Sequence, residues 1–349
     1  MRSPNTAARS PRSEPRAPSP DTDLALGIDL GATKVVSALV ARDGTVVHSG
    51  GRQVHANDGP EGVLRSLVQS VRSTLDQEPS FRIRTVGIAV AAQVDPATGT
   101  VVHAPNLNWH NVPLGARLSR ELDGAPVVVV NDARAATLAE WRLGAGRGVS
   151  DLFCLILGTG VGGSAVVGNR LLEGGTHAIG EVGHITIVSG GRKCHCPNAG
   201  CLEAYVGGWA VADRAREAIG ADPKAGESLL AAVGYPDQVT ARTVVEAYRR
   251  GDPLAHRLIR ETTQYLCDGV VSIVNAFNPD LVVLGGGFAA GMPEFARTAE
   301  EAVRLRCQPP AARARVTVGR FGENAPLVGA AEAARLGSFP GSDSGTPSG

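Results

Sequence analysis

The sequence predicts an α/β protein of two domains flanking a cleft. Strands and helices alternate along the chain, two separate stretches open on antiparallel hairpins, and 349 residues suffice for two cores. The expected boundaries are 24–137 for the first domain and 138–325 for the second. Residues 1–23 and 338–349 are polar tails rich in Pro, Ser, Arg, Ala or Gly, too poor in apolar side chains to bury a core, and are expected to be disordered.

The totals exclude several function classes. Lys plus Arg number 34, as do Asp plus Glu, so a nucleic-acid partner has no basic footprint to bind. No run of about eighteen apolar residues appears, which argues against a membrane partner or span. The N-terminus lacks the apolar core of a secretion signal. Of six cysteines, three share one loop and three are scattered, a pattern of reducing compartments, so the cytoplasm is expected.

Residues 24–54 alternate as strands do, with Asp43-Gly44 as a hairpin turn. Within them Asp29-Leu30-Gly31-Ala32-Thr33-Lys34 is the first chemical motif. Gly31 lets backbone approach an anion, Thr33 adds a hydroxyl, Lys34 adds positive charge, and Asp29 is placed to hold Mg²⁺. An ordinary hairpin reads the same way. Glu61 to Leu75 has the apolar spacing of an amphipathic helix. Thr85 to Val94 reads as a buried strand, and Thr98 to Val102 as a second hairpin. The loop from Ala104 to Trp109 offers the amide of Asn106 and an indole, suited to a sugar or to a plain surface loop. Pro126 to Val130 is a buried strand with Asn131 and Asp132 at its carboxyl end, before a helix over Ala133 to Leu143. Ligands of open α/β sheets bind beyond such strand ends, so Asp132 is placed for chemistry as well as for capping.

Phe153 to Gly158 repeats the opening: a strand, a glycine turn from Gly158, Thr159 and Gly160 through Gly162 to Gly163, then a second strand. The repetition points to an internal duplication. No Gly-Lys-Ser/Thr follows, so this is not a Walker loop, and a strand follows where a dinucleotide fingerprint needs a helix. The stretch Gly180 to Glu203 gathers His184, Cys194, Cys196 and Cys201 as G-E-x-G-H and C-x-C-x4-C. One imidazole and three thiolates make a closed tetrahedral zinc site, structural because no position is left for water. Glu181 and Glu203 bracket this loop of 184–201 with carboxylates free to accept from a polyol. Mostly helical chain follows from Tyr205 to Asn278. A strand then ends in Gly285, Gly286 and Gly287, bare backbone against which a flat ring can lie. A helix from Pro293, a strand from Ala314 and a helix from Pro326 to Leu336 close the chain.

These motifs in this order resemble the ROK family, sugar kinases and repressors of the actin-like ATPase superfamily, over Leu24 to Leu336. GEVGH together with CHCPNAGCLE is the most specific part. The resemblance implies a ribonuclease-H-like, actin-like ATPase fold whose last helix, 326–337, returns to the first domain. It implies that Asp29 to Lys34 and Gly158 to Gly163 hold ATP phosphates and Mg²⁺, with Gly285 to Gly287 against the adenosine. Asn106, Asn131, Glu181, His184 and Glu203 match the family's sugar contacts, and Asp132 matches its catalytic base. His184 would face both zinc and sugar.

An ATP-dependent hexose kinase is implied, most directly glucose to glucose 6-phosphate in glycolysis, as a homodimer or homotetramer. N-acetylglucosamine, N-acetylmannosamine and fructose are alternative substrates, and polyphosphate an alternative donor. A sugar-responsive regulator is the alternative of another class; its helix-turn-helix has no room in the 23 residues ahead of Leu24. Two positions depart from the family pattern. Ala91-Ala92-Gln93 replaces Pro-Gly, and Arg134 stands where the family's glucokinases carry Asn, so weaker sugar selectivity is expected.

Overall fold

The computed structural model describes residues 24–338. The tails expected at 1–23 and 338–349 lie outside the described residues, Ser338 excepted. The strands are β1 (Ala25–Leu30), β2 (Lys34–Val40), β3 (Val46–Gln53), β4 (Val86–Val90), β5 (Gln93–Asp95), β6 (Thr100–Ala104) and β7 (Trp109–Val112), followed by β8 (Val127–Asn131), β9 (Leu152–Leu157), β10 (Val161–Val167), β11 (Arg170–Leu171), β12 (Leu281–Gly285) and β13 (Arg315–Val318). The helices are α1 (Gly59–Leu75), α2 (Leu114–Glu121), α3 (Asp132–Arg142), α4 (Glu203–Val206), α5 (Gly208–Ala221) and α6 (Glu227–Val233), then α7 (Ala241–Arg249), α8 (Pro253–Phe277), α9 (Gly286–Gly291), α10 (Glu294–Arg306) and α11 (Ala325–Leu336).

Two five-stranded sheets share one layout. The first runs β3-β2-β1-β4-β8 and the second β11-β10-β9-β12-β13. In each, an antiparallel meander of three strands continues into a parallel trio, β1-β4-β8 or β9-β12-β13. The duplication expected from the two strand–turn–strand motifs is therefore carried through whole sheets. It brings the turns after β1 and β9 to matching places.

Helix α3 leaves the first sheet at β8 and packs between the two sheets. Leu138 and Trp141 share one apolar cluster with Ala89 and Val130 of the first sheet and with Leu152, Cys154, Leu281 and Val283 of the second. Helix α11 lies on the first sheet, as close as backbone allows. A Cβ at Gly87 would strike the Ala330 carbonyl, so glycine on the strand and the alanines of α11 are what permit the contact. Glu140 of α3 is fully buried, yet it accepts N–H groups from Ala145 at 3.0 Å and from Arg320 and Phe321 at 2.9 Å. Those donors offset the cost of burying its charge and tie α3 to the segment ahead of α11.

Some elements differ from expectation. The strand expected over Thr85 to Val94 breaks after Val90, where Ala92 N–H turns back to the Val90 carbonyl at 2.8 Å. Its last residues form β5 in a separate three-stranded sheet with β6 and β7. The expected hairpin at Thr98 to Val102 is the turn between β5 and β6, closed by Gly99 N–H on the Asp95 carbonyl at 2.9 Å. Trp109 is 1% exposed and packs among β-sheet side chains, so its indole belongs to the core and not to a sugar.

A candidate kinase cleft between two sheets

The site is built where β1, β8, β9 and β12 end. Asp29 lies next to last on β1, and Lys34 opens β2 across a turn closed by Gly31 N–H on the Lys34 carbonyl at 3.0 Å. Asp132 opens α3 and accepts the N–H of Ala133 at 2.8 Å. Burial pushes the Asp132 carboxyl up. Asp29 is pushed up to about 7, by burial first and the nearby Asp132 second, while Lys34 pulls it down. Two desolvated acids facing each other with one exposed lysine nearby suit a divalent cation, which would relieve the excess negative charge.

Glu181 extends this row of acids. Its side chain is 54% exposed, yet the protein around it raises its carboxyl by desolvation, His184 opposes the rise, and the charges of Asp132 and Glu203 add to it. Asp29, Asp132, Glu181 and Glu203 come from four separate stretches, with Asp132 felt by Asp29, and Asp132 and Glu203 both felt by Glu181. Asn106 is exposed on the one-turn segment Pro105–Leu107. Asn131 is already engaged: its Oδ1 accepts from Arg134 N–H at 3.1 Å and its Nδ2 donates to the Ala92 carbonyl at 3.2 Å. Glu203 is likewise held, accepting from Val161 N–H at 2.8 Å and from Trp209 Nε1 at 3.2 Å. A carboxylate has about four acceptor positions, so Glu203 keeps capacity for a hydroxyl. Trp209 was not singled out in the sequence. Its place directly after Gly207-Gly208, opposite the loop of Gly158 and Thr159, was the available signal.

The glycines expected at the nucleotide differ in what surrounds them. Gly162 and Gly163 belong to β10, paired with Ile156 and Leu155, so the turn proper is Gly158 to Gly160. Thr159 is exposed at its tip. A Cβ at Gly158 would meet nothing within 4 Å, leaving its backbone open to a ligand. Gly285 and Gly286 are bare for packing reasons: a Cβ would press on Ile156 Cδ1 at Gly285 and on the Leu157 carbonyl at Gly286, whose φ is +85°. Gly287 is exposed at the start of α9.

His184, Cys194, Cys196 and Cys201 bring one donor atom each to within 4.8 Å of one another, and among the described residues they are the one such group. His184 Nδ1 and Cys194 Sγ are 3.6 Å apart, as are the sulfurs of Cys196 and Cys201. Donors around a tetrahedral ion bound at about 2.3 Å lie about 3.7 Å apart, so the set fits a four-coordinate soft cation. His184 Nε2 points the other way, 3.8 Å from Glu181 Oε2.

The ROK family model matches residues 25–336. The chain belongs to the ROK family. The glucokinase of Streptomyces coelicolor is 33% identical over 267 residues, 76% of this chain and 82% of that one. A ROK family glucokinase from Streptomyces griseus, solved with glucose and AMPPNP, superposes with a TM-score of 0.80 at 33% identity, covering 90% of this chain and 99% of that one. The xylose repressor of Caldicellulosiruptor bescii is 31% identical over 268 residues, 76% of this chain and 66% of that one. The ROK chain here thus has the two-domain actin-like ATPase fold expected of it. Among the described residues no helix is long and apolar enough to cross a membrane.

Both departures from the family pattern are held by contacts within the protein. The Arg134 side chain is 6% exposed and paired with Glu173. Ala92 is buried and uses its carbonyl to hold Asn131.

Proposed function

We propose that this protein is an ATP-dependent hexokinase that phosphorylates glucose to glucose 6-phosphate. The observation that carries the reading is Asp132, a desolvated carboxylate at the first turn of α3 whose charge is felt by both Asp29 and Glu181. Asp132 takes the proton of the sugar's 6-hydroxyl as that oxygen forms its bond to the γ-phosphorus. The bond from γ-phosphorus to the bridging oxygen breaks, and ADP leaves with that electron pair. Gly31 and the turn Gly158 to Gly160 would offer backbone to the phosphates, and Gly287, exposed near the start of α9, would meet the adenosine. Asp29 would hold Mg²⁺, which supplies charge neutralisation on the phosphates when bound. Asn106, Asn131, Glu181, His184 and Glu203 orient the sugar.

The likeness to glucokinases supports glucose over the N-acetylated hexosamines and fructose. The reading as a regulator is disfavoured by the row of acids around Asp132, which a sugar sensor does not need. His184, Cys194, Cys196 and Cys201 hold structural zinc, supported by the spacing of their donors. We place the domains at 24–137 with α11, and 138–325, in a cytoplasmic homodimer. The test is kcat/KM with ATP for glucose, mannose, N-acetylglucosamine, N-acetylmannosamine and fructose. Glucose should lead. Exclusive use of an N-acetylated sugar removes glucose but keeps the kinase, and no turnover with any sugar removes the kinase.

A further inference from the structure

Arg134 is the third residue of α3, two places after Asp132, and its Nη2 donates to Glu173 Oε1 at 3.1 Å. The other oxygen of Glu173 lies 3.3 Å from His177 Nδ1. Burial pulls the Arg134 guanidinium below its ordinary value, and Glu173 counters that pull. Glu173 and His177 stand on the loop that leaves β11 and leads straight to Glu181 and His184. His177 takes a left-handed backbone, φ +57°. There it lies with Arg134 against Val94, Pro96 and Asn131, residues at the β8 end and the β5–β6 hairpin. A loop of the second sheet is thus clipped to the helix that carries Asp132.

We propose that Arg134, through its ion pair with Glu173, is a positioning residue that fixes the loop 173–180 so that Glu181 and His184 face Asp132, and thereby sets the affinity for the sugar. The inference rests on the hexokinase reading. Its physical basis is the loop itself, Glu173-Gly174-Gly175-Thr176-His177-Ala178-Ile179-Gly180, with three glycines and no regular structure. Such a segment has much conformational freedom to lose, and a sugar that had to order it would bind weakly. An anchored loop has lost that freedom beforehand. The anchor is a nearly buried guanidinium–carboxylate pair, so removing one partner strands the other's charge in protein. Arg134 touches no reacting atom. It acts through the two residues at the loop's far end.

The test compares Arg134→Asn, Glu173→Gln and the double variant with the unaltered protein. Amide hydrogen exchange over 173–181, glucose binding by calorimetry and steady-state kinetics are measured together. Each single variant should speed exchange across the loop and raise glucose Kd and KM roughly ten- to a hundredfold. KM for ATP should stay within about twofold, because the clip lies away from the turn Gly158 to Gly160. The double variant should recover part of the loss, since no charge is then buried alone. Arg134→Lys should rescue only in part, lacking the planar fork. Unchanged loop exchange and unchanged glucose Kd in both single variants overturn the proposal. So does an equal loss of ATP and glucose affinity, which marks general loosening. Failure of the hexokinase reading shows separately, as no turnover by the unaltered protein, and exchange still decides on the clip.

Discussion

Glu203 Oε2 accepts the backbone N–H of Val161 at 2.8 Å, and this bond ties the cysteine cluster to the glycine turn. Glu203 stands two residues after Cys201. Its other oxygen accepts from Trp209 Nε1 at 3.2 Å, and the Trp209 ring stacks on His195 with centroids 3.9 Å apart. His195 lies between Cys194 and Cys196. Glu203 therefore links the metal loop to the glycine turn by direct contacts.

Gly160 shows this coupling. From the sequence, a side chain there should crowd phosphates and spare sugar binding. In the structure its Cβ would lie 2.5 Å from Glu203 Oε2, so Gly160→Ala displaces the acid as well. KM for ATP and Kd for glucose should both rise, each roughly tenfold. Gly158→Ala, whose Cβ meets no protein atom within 4 Å, should raise only KM for ATP. Steady-state kinetics with calorimetry distinguish the two. A Gly160→Ala protein with normal glucose affinity contradicts the coupling.

Asp132→Asn should keep the fold, because Asn131 caps α3 through its own Oδ1 on Arg134 N–H at 3.1 Å. Turnover should fall roughly 10²- to 10⁴-fold with loss of the general base. Near-normal kcat, measured by ADP release, would reduce Asp132 to a structural residue.

The cysteine cluster should carry one zinc per chain. Cys196→Ser should lose it and free the loop from Gly180 to Glu203, so that melting temperature and glucose affinity fall together. Elemental analysis beside thermal melts gives the answer. A zinc-free preparation of full activity and unchanged stability would sink the idea.

Asp29 ties stability to pH in the ligand-free protein. Its carboxyl is raised from 3.8 to about 7, mainly by burial and next by Asp132, so the folded form binds its proton more tightly than the unfolded form. Its contribution is therefore fully present below about pH 4 and is lost as pH rises through about 7. Asp29→Asn, which cannot ionise, should gain stability at pH 8 relative to the parent, on the order of a few kcal/mol. The same variant should lose ATP turnover with the Mg²⁺ ligand. Chemical denaturation at pH 5 and pH 8 checks the sign, and a gain that is larger at pH 5 refutes it.

Much of this protein was determined by the sequence alone, because local rules set it. Strand alternation, the Asp43-Gly44 turn and the apolar spacing of α1 depend on neighbours a few residues apart, and each formed as read. The donors of the metal site lie within eighteen positions of one another, close enough for spacing to gather them. What only the tertiary structure decided are contacts between residues far apart in the chain. Trp109 could serve a sugar or the core, and burial chose the core. Nothing near Asn131 or Arg134 in the chain foretold that one would bond to Ala92, 39 residues before it, and the other to Glu173, 39 residues after it. The sequence did not show that a side chain at Gly286 would strike the Leu157 carbonyl. Side-chain polarity declares what a residue is able to bind. Which partner it meets depends on how the two sheets are brought together around α3, and no local pattern encodes that distance.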